Sequence, residues 1–271
     1  MAQLSGITGK RIVITGGGGG LGSAMAAEMC RLGARVLVCG RTQATLDETV
    51  ERIVAEQGSS EAIAATTCDV RDPASVAAMV DVAVERFGGV DGLVNNASGL
   101  FPVHAEKLSP NGFRAVVDIV LQGTFNCTRE VAGRWLSNGR PGAIVNVLTP
   151  YAWMGGPGIA HTAAAKGGVL NLSRTLAVEW AGRGVRVNCI APGWMLVGGT
   201  SIMASTPEAE QRLLDSIPAG RFLEPEETAR ATAYLLSDDA SYVNGHCLTI
   251  DGGHHLSKGL FEFMDAIPER G

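Results

Sequence analysis

The sequence predicts an α/β protein, a parallel sheet covered by helices on both faces. Three observations lead there. Seven short runs rich in Val and Ile alternate with longer stretches whose apolar residues recur at three and four positions. The runs are apolar along their length, as strands buried on both faces require. The first run passes straight into Gly16–Gly20, an unbroken glycine stretch that precedes the first helical segment. The chain has 271 residues, 46% hydrophobic and 18% charged, which suits one large core and excludes a disordered chain.

Taken in order, strands are predicted at Arg11–Thr15, Arg35–Cys39, Ala62–Cys68, Gly92–Asn95, Ala143–Leu148, Val185–Ile190 and Cys247–Ile250. Each is too short for a helix. Helices with one buried face are predicted at Leu21–Leu32, Thr42–Gln57, Ser75–Phe87, Phe113–Leu136 and Ala163–Trp180, with Ala231–Leu236 in a further late helix. Two stretches break the rhythm, Ser98–Pro110 and Gly193–Pro207. Both follow strand C-termini, where open α/β sheets bind their ligands. The second is expected to act as a mobile lid. Residues 1–255 read as one domain and 256–271 as a C-terminal extension. Its Phe261, Phe263 and Met264 suit docking on an apolar surface such as a neighbouring subunit.

Composition narrows the function classes. The net charge is −5, which argues against a broad nucleic-acid patch. No run of about 18 apolar residues occurs, so no membrane span is expected, and the N-terminal residues do not read as a secretory signal. Six cysteines lie far apart without a CxxC pair. They read as reduced, mostly buried thiols rather than disulfides or metal ligands, and the expected compartment is the cytoplasm.

The glycine stretch carries the first chemical signal. Glycine lets the backbone approach a pyrophosphate, and the helix that follows offers free N–H groups and a positive dipole end. The register is open: Gly17, Gly19 and Gly22 satisfy one dinucleotide fingerprint, and Gly16, Gly20 and Gly22 satisfy another. Thr15 and Leu21 flank the loop. At the end of the second strand an NAD site usually carries an acid for the ribose hydroxyls. Here the residues are Cys39-Gly40-Arg41-Thr42. Arg41 suits a 2′-phosphate through a forked, charge-assisted contact, so the expected cofactor is NADP(H).

With these residues in hand the chain resembles the short-chain dehydrogenase/reductases. The resemblance covers roughly residues 8 to 253. It rests on the glycine loop, Cys68-Asp69-Val70, Asn95-Asn96-Ala97, Lys166 in Ala164-Ala165-Lys166-Gly167-Gly168, Arg186-Val187-Asn188, Pro192-Gly193 and Asp251-Gly252-Gly253. It implies a single Rossmann-type, doubly wound domain with a seven-stranded parallel sheet, a nicotinamide cofactor, and a homodimer or homotetramer. It also implies that Asp69 and Val70 flank the adenine, that Asn96 and Ala97 lie beside the cofactor, that Lys166 bonds the nicotinamide ribose, and that Pro192 and Gly193 border the site.

The catalytic set departs from the family's Asn, Ser, Tyr and Lys. Thr162 stands where the Tyr belongs, one turn before Lys166; Thr149 stands where the Ser belongs, and Val120 where the Asn belongs. A ketoreductase hands a proton to an alkoxide, which a phenol near pKa 10 beside a lysine can do and a threonine hydroxyl does poorly. The 2,4-dienoyl-CoA reductase branch also lacks that Tyr. The chain is similar to it at Leu108-Ser109-Pro110-Asn111, at Asp118-Ile119-Val120-Leu121 with Gly123-Thr124, and at Thr149-Pro150-Tyr151-Ala152. That resemblance implies that Tyr151 bonds a thioester carbonyl. The branch's second donor, an Asn, falls on Leu100; Ser98, Thr149 and His161 are candidate substitutes.

The expected activity is therefore NADPH-dependent reduction of a small-molecule conjugated acyl thioester, as in fatty acid metabolism. Tyr151, Lys166, Thr149 and Thr162 form the catalytic set, and no metal is expected. Two alternatives stay open. One is a 3-oxoacyl thioester or other carbonyl reductase. The other is an NADP(H)-binding pseudo-enzyme with a sensing or scaffolding role.

Overall fold

The protein is described by a computed structural model that covers residues 4–197 and 204–257. Seven strands form one parallel sheet: β1 (Arg11–Thr15), β2 (Arg35–Gly40), β3 (Ile63–Thr67), β4 (Gly92–Asn95), β5 (Gly142–Val147), β6 (Val185–Pro192) and β7 (Cys247–Ile250). Their order is β3-β2-β1-β4-β5-β6-β7. The winding reverses between β1 and β4, so a crevice opens beyond the C-terminal ends of those two strands.

Alternation along the strands feeds two cores. Ile12 and Ile14 of β1, with Val36 and Val38 of β2, face α1 (Gly20–Arg31), α2 (Gln43–Gln57) and α8 (Pro225–Leu236). Val13, Leu37 and Leu93 face α3 (Pro73–Phe87), α5 (Gly123–Ser137) and α6 (Ala160–Trp180) on the other side. Both faces are covered, which is why the strands read as unbroken apolar runs. A buried polar chain ties the second layer to the sheet. Asn95 Nδ2 donates to Thr128 Oγ1 (2.9 Å) and Asn146 Oδ1 (2.8 Å), and Asn146 Nδ2 donates to Ser173 Oγ (2.8 Å). Ser173 lies on α6, so this chain fixes the helix that also carries Thr162 and Lys166.

One segment differs from its periodicity. The single helix expected over Phe113–Leu136 is α4 (Pro110–Val117), a π turn (Asp118–Gln122) and then α5. The wide turn coincides with a close approach: a Cβ on Gly123 would lie 2.5 Å from Val70 Cγ2. Ser109 caps α4 by accepting from the Gly112 N–H at 3.0 Å, so the helix begins earlier than its apolar pattern. The tail of the expected lid is also ordered as a helix, α7 (Pro207–Asp215), with Thr206 as its cap. Residues 198–203 of the lid and 258–271 of the extension lie outside the described residues.

Five of the six cysteines are buried, Cys247 is partly so, and all are free thiols. No helix among the described residues is long and apolar enough to cross a membrane.

Candidate active site

Two cavities adjoin at the C-terminal edge of the sheet, and Ser98 lines both. The first, of about 250 Å³, is roofed by the glycine loop. Gly16 and Gly20 hold φ of +65° and +52°, a region that L side chains disfavour. A Cβ on Gly22 would lie 2.1 Å from the Gly16 carbonyl oxygen, and one on Gly17 would lie 2.6 Å from Val38 Cβ. Thr15, Gly20 and Gly22 line neither cavity but shape the loop.

Asn96 and Thr15 hold that loop to β4. The Thr15 hydroxyl accepts from the Asn96 and Ala97 N–H groups, both at 3.0 Å. Asn96 Nδ2 donates to the Thr15 and Gly16 carbonyls at 3.1 and 3.0 Å. A Cβ on Gly19 would meet nothing within 4 Å, so the loop leaves a bare backbone cradle at the start of α1. Such a cradle fits a pyrophosphate. Around its far side stand Arg41, exposed, with Asp69 and Val70. Arg71 grips Asp69 through both carboxylate oxygens and holds it down to about 2. These residues fit a dinucleotide.

The second cavity, of about 480 Å³, has the size of a small-molecule site. Thr149 and Tyr151 reach it from the segment after β5, Thr162 and Lys166 from α6, and Pro192, Gly193 and Trp194 from the segment after β6. Leu100, Leu21 and Asn96 complete the near wall, and His254 enters from the turn after β7. A short 3₁₀ turn, Pro150–Ala152, presents Tyr151, and Gly156 leaves room for its ring: a Cβ there would lie 2.8 Å from Tyr151 Cδ1.

The electrostatics separate the candidate groups. Lys166 is buried and donates to the Val147 carbonyl; burial lowers its pKa to about 8. Burial raises the Tyr151 phenol, so it stays protonated. Thr162 is buried, and its hydroxyl lies 3.5 Å from His161 Nδ1. His161 itself is fully buried, edge-on to Phe101 at 4.5 Å, and lies behind the cavity wall rather than in it.

The sequence-derived site residues thus converge on these two cavities or on the loop between them. Two residues of the second cavity escaped sequence reasoning. Trp194 and His254 both pack edge-on to Tyr151, with ring centroids 6.1 and 6.4 Å away. Each stands just past the C-terminal end of a strand, which is the signal that could have found them.

Comparison with known proteins agrees with this geometry. The family described as enoyl-(acyl carrier protein) reductase matches residues 16–255. A Bacillus subtilis protein named "Probable 2,4-dienoyl-CoA reductase [(2E)-enoyl-CoA-producing]" is 46% identical over 93% of this chain and 99% of its own length. The crystal structure of a short chain dehydrogenase from Bacillus anthracis superposes with a TM-score of 0.84 at 42% identity, over 93% and 99% of the two chains. An actinorhodin polyketide ketoreductase with NADPH superposes with a TM-score of 0.86 at 32% identity, over 91% and 97%.

Proposed function

The chain is an oxidoreductase of the short-chain dehydrogenase/reductase family, which uses a nicotinamide cofactor, and from that premise we propose that it is an NADPH-dependent reductase of 2,4-dienoyl-type acyl thioesters. One observation carries the reading: the cavity that holds Lys166 has Thr162 one turn before it and Tyr151 as its only phenol, kept protonated by burial.

The nicotinamide cofactor supplies a hydride when bound. Gly16, Gly18 and Gly19 would receive its pyrophosphate, Arg41 and Thr42 its 2′-phosphate, and Asp69 and Val70 its adenine. Asn96 and Ala97 would flank it, and Lys166 would hold its ribose beside Pro192 and Gly193. Gly40-Arg41-Thr42 carries no acid, and Arg41 makes no ion pair among the described residues; the nearby Asp69 carboxylate is held by Arg71 instead.

Reduction at the far end of a conjugated thioester drives negative charge onto the thioester oxygen, and a proton from water then adds to carbon to complete the reduction. Tyr151 donates a hydrogen bond to that oxygen, and the buried Lys166 ammonium stabilises it. Thr149 and Thr162 are hydroxyls of the same wall, able to bond the substrate. This chemistry asks for a donor that keeps its proton, and burial of Tyr151 provides one. Carbonyl reduction asks for an acid that loses its proton, and the same burial works against it. We also propose self-association, supported by Phe113, Phe125 and Val178, which are exposed on α4, α5 and α6.

The test is loss of NADPH in the presence of a 2,4-dienoyl thioester or a 3-oxoacyl thioester. Turnover of the dienoyl compound is expected. Turnover of the 3-oxoacyl compound alone would overturn the reading, and binding of NADPH without turnover of either would favour a pseudo-enzyme.

A further inference from the structure

Three cysteines meet beneath the first cavity. Cys39 lies near the end of β2, Cys68 follows β3, and Cys127 is on α5; all belong to one layer of the core. Cys68 alone keeps a trace of exposure, 3% against none for the other two, and it lines the cavity beside Gly40, Arg41, Asp69 and Val70. Its N–H donates to the Gly40 carbonyl at 2.8 Å, which holds the turn after β3 against the end of β2. There the Cys39 and Cys68 thiols are in hydrogen-bond contact, with Cys39 the donor.

Their surroundings make the two thiols unlike. The Cys68 sulfur accepts from Cys39 and from the Ser75 hydroxyl. The Ser75 oxygen in turn accepts from the Asp69 N–H at 3.1 Å, which fixes its place. Donation from Cys39, joined by that from Ser75, holds Cys68 below the ordinary thiol value, against burial and the Asp69 and Asp72 carboxylates. The same hydrogen bond, and then burial, push Cys39 the other way, so it keeps its proton. A thiol with thiolate character on a cavity wall, backed by a second thiol, is the arrangement that reacts with peroxide and closes to a disulfide. Cys247 is the contrast. It alone of the six is not fully buried, yet burial raises its thiol to about 12.

We propose that Cys68 is a peroxide-oxidation site of the cofactor cavity, resolved by Cys39 as an internal disulfide that weakens cofactor binding. The Cys68 thiolate attacks one peroxide oxygen; the O–O bond breaks, hydroxide leaves, and Cys68 becomes a sulfenic acid. The Cys39 sulfur then attacks the Cys68 sulfur; the S–O bond breaks and the Cys39 proton leaves with the oxygen as water. The hydroxide takes up the proton first lost by Cys68. Two thiols are thus oxidised by two electrons, and one peroxide is reduced to two waters. In the β2–β3 register Cys39 pairs with Thr66, so Cys68 faces it across a diagonal. A disulfide spans only about 4.4–6.8 Å between Cα atoms. Closing one on this diagonal draws the two chain segments together and moves Arg41 and Asp69, which follow them. A cofactor in the cavity covers Cys68, so binding and oxidation oppose each other. The inference rests on the assignment of this cavity to the cofactor and not on the thioester reading.

The test treats reduced protein with hydrogen peroxide, with and without saturating NADP+, and maps the thiols by peptide mass spectrometry. Without NADP+ a Cys39–Cys68 disulfide is expected before any change at Cys247. NADP+ is expected to slow its formation about fivefold or more, and the oxidised protein to bind NADPH about fivefold or more weakly, with recovery on reduction by dithiothreitol. Cys39→Ala is expected to stop at a sulfenic acid on Cys68, which dimedone traps; the wild-type map stands without this variant if it folds poorly. Oxidation of Cys247 first, or a bridge from Cys68 to Cys127, would overturn the assignment, since exposure or mere proximity would then decide the chemistry. Equal rates with and without NADP+, in protein that binds NADPH, would overturn the coupling to the cofactor. A Cys39–Cys68 disulfide in protein that never binds NADPH when reduced would overturn the cofactor reading while leaving the oxidation site standing.

Discussion

The cavity under the glycine loop has one wall of bare backbone, whereas the one beyond Ser98 is lined largely by side chains drawn from six separate segments. In the first, glycines and the start of a helix do the binding, and Asn96 and Thr15 hold the loop in place. In the second, Tyr151, Lys166, Trp194 and His254 meet from the ends of β5, β6 and β7 and from α6. The first is therefore expected to be sensitive above all to shape, and the second also to the loss of a donor or a charge.

The largest effect should come from Tyr151→Phe. Removing one donor to a developing oxyanion costs about 100- to 1000-fold in kcat. NADPH affinity should be unchanged, because Tyr151 is assigned to the thioester oxygen and to no part of the cofactor. A kcat within a few fold of wild type on a dienoyl thioester would break the contrast between the two cavities.

Arg41→Ala probes the charged side chain proposed to select the cofactor in the first cavity. A charge-assisted contact to a phosphate is worth about 10- to 100-fold. The ratio of kcat/KM for NADPH over NADH should fall by that factor, with kcat at saturation little changed. A ratio that stays put would mean that the backbone alone selects the cofactor.

The legibility of the two cavities follows the same division. The glycine loop, Arg41 and Asp69 were readable because each sits in a short local segment between a strand and a helix. All seven strands were readable for a related reason: burial on both faces leaves them apolar throughout. Which glycines of the run take up left-handed backbone, Gly16 and Gly20, was not readable, since five identical residues carry no record of φ. The break at Asp118–Gln122 was hidden because a π turn keeps the apolar rhythm while shifting its phase. His254 was hidden for a different reason. Its place in the cavity wall depends on a carbonyl at Ser216 and a ring at Tyr151, both distant in sequence.

The pH dependence separates charge from fold in the second cavity. Burial lowers Lys166 from its ordinary 10.5 to about 8. Below that pH the ammonium is present and stabilises the anion; above it the charge is lost. The rate on a dienoyl thioester should fall as pH rises past about 8, by up to about tenfold per unit. Stability moves the other way. An unfolded Lys keeps its proton to about 10.4, so between the two values the unfolded chain binds more protons and stability rises with pH. A rate that falls while the melting temperature holds or rises identifies Lys166; a parallel fall of both would point to unfolding.

The smallest effect is expected at Thr162, although it occupies the family's acid position. Its hydroxyl has one long contact, 3.5 Å to His161 Nδ1, at the outer limit of a hydrogen bond. It lies one turn from Lys166 on a helix fixed by Ser173 and Asn146, so Val fits the same space without moving the lysine. If Tyr151 holds the thioester oxygen, Thr162→Val should change kcat on a dienoyl thioester by less than about threefold. A loss near that of Tyr151→Phe would return the acid role to position 162. The second cavity would then work as a modified carbonyl-reducing site, with Thr162 as the proton donor and Tyr151 as part of its wall.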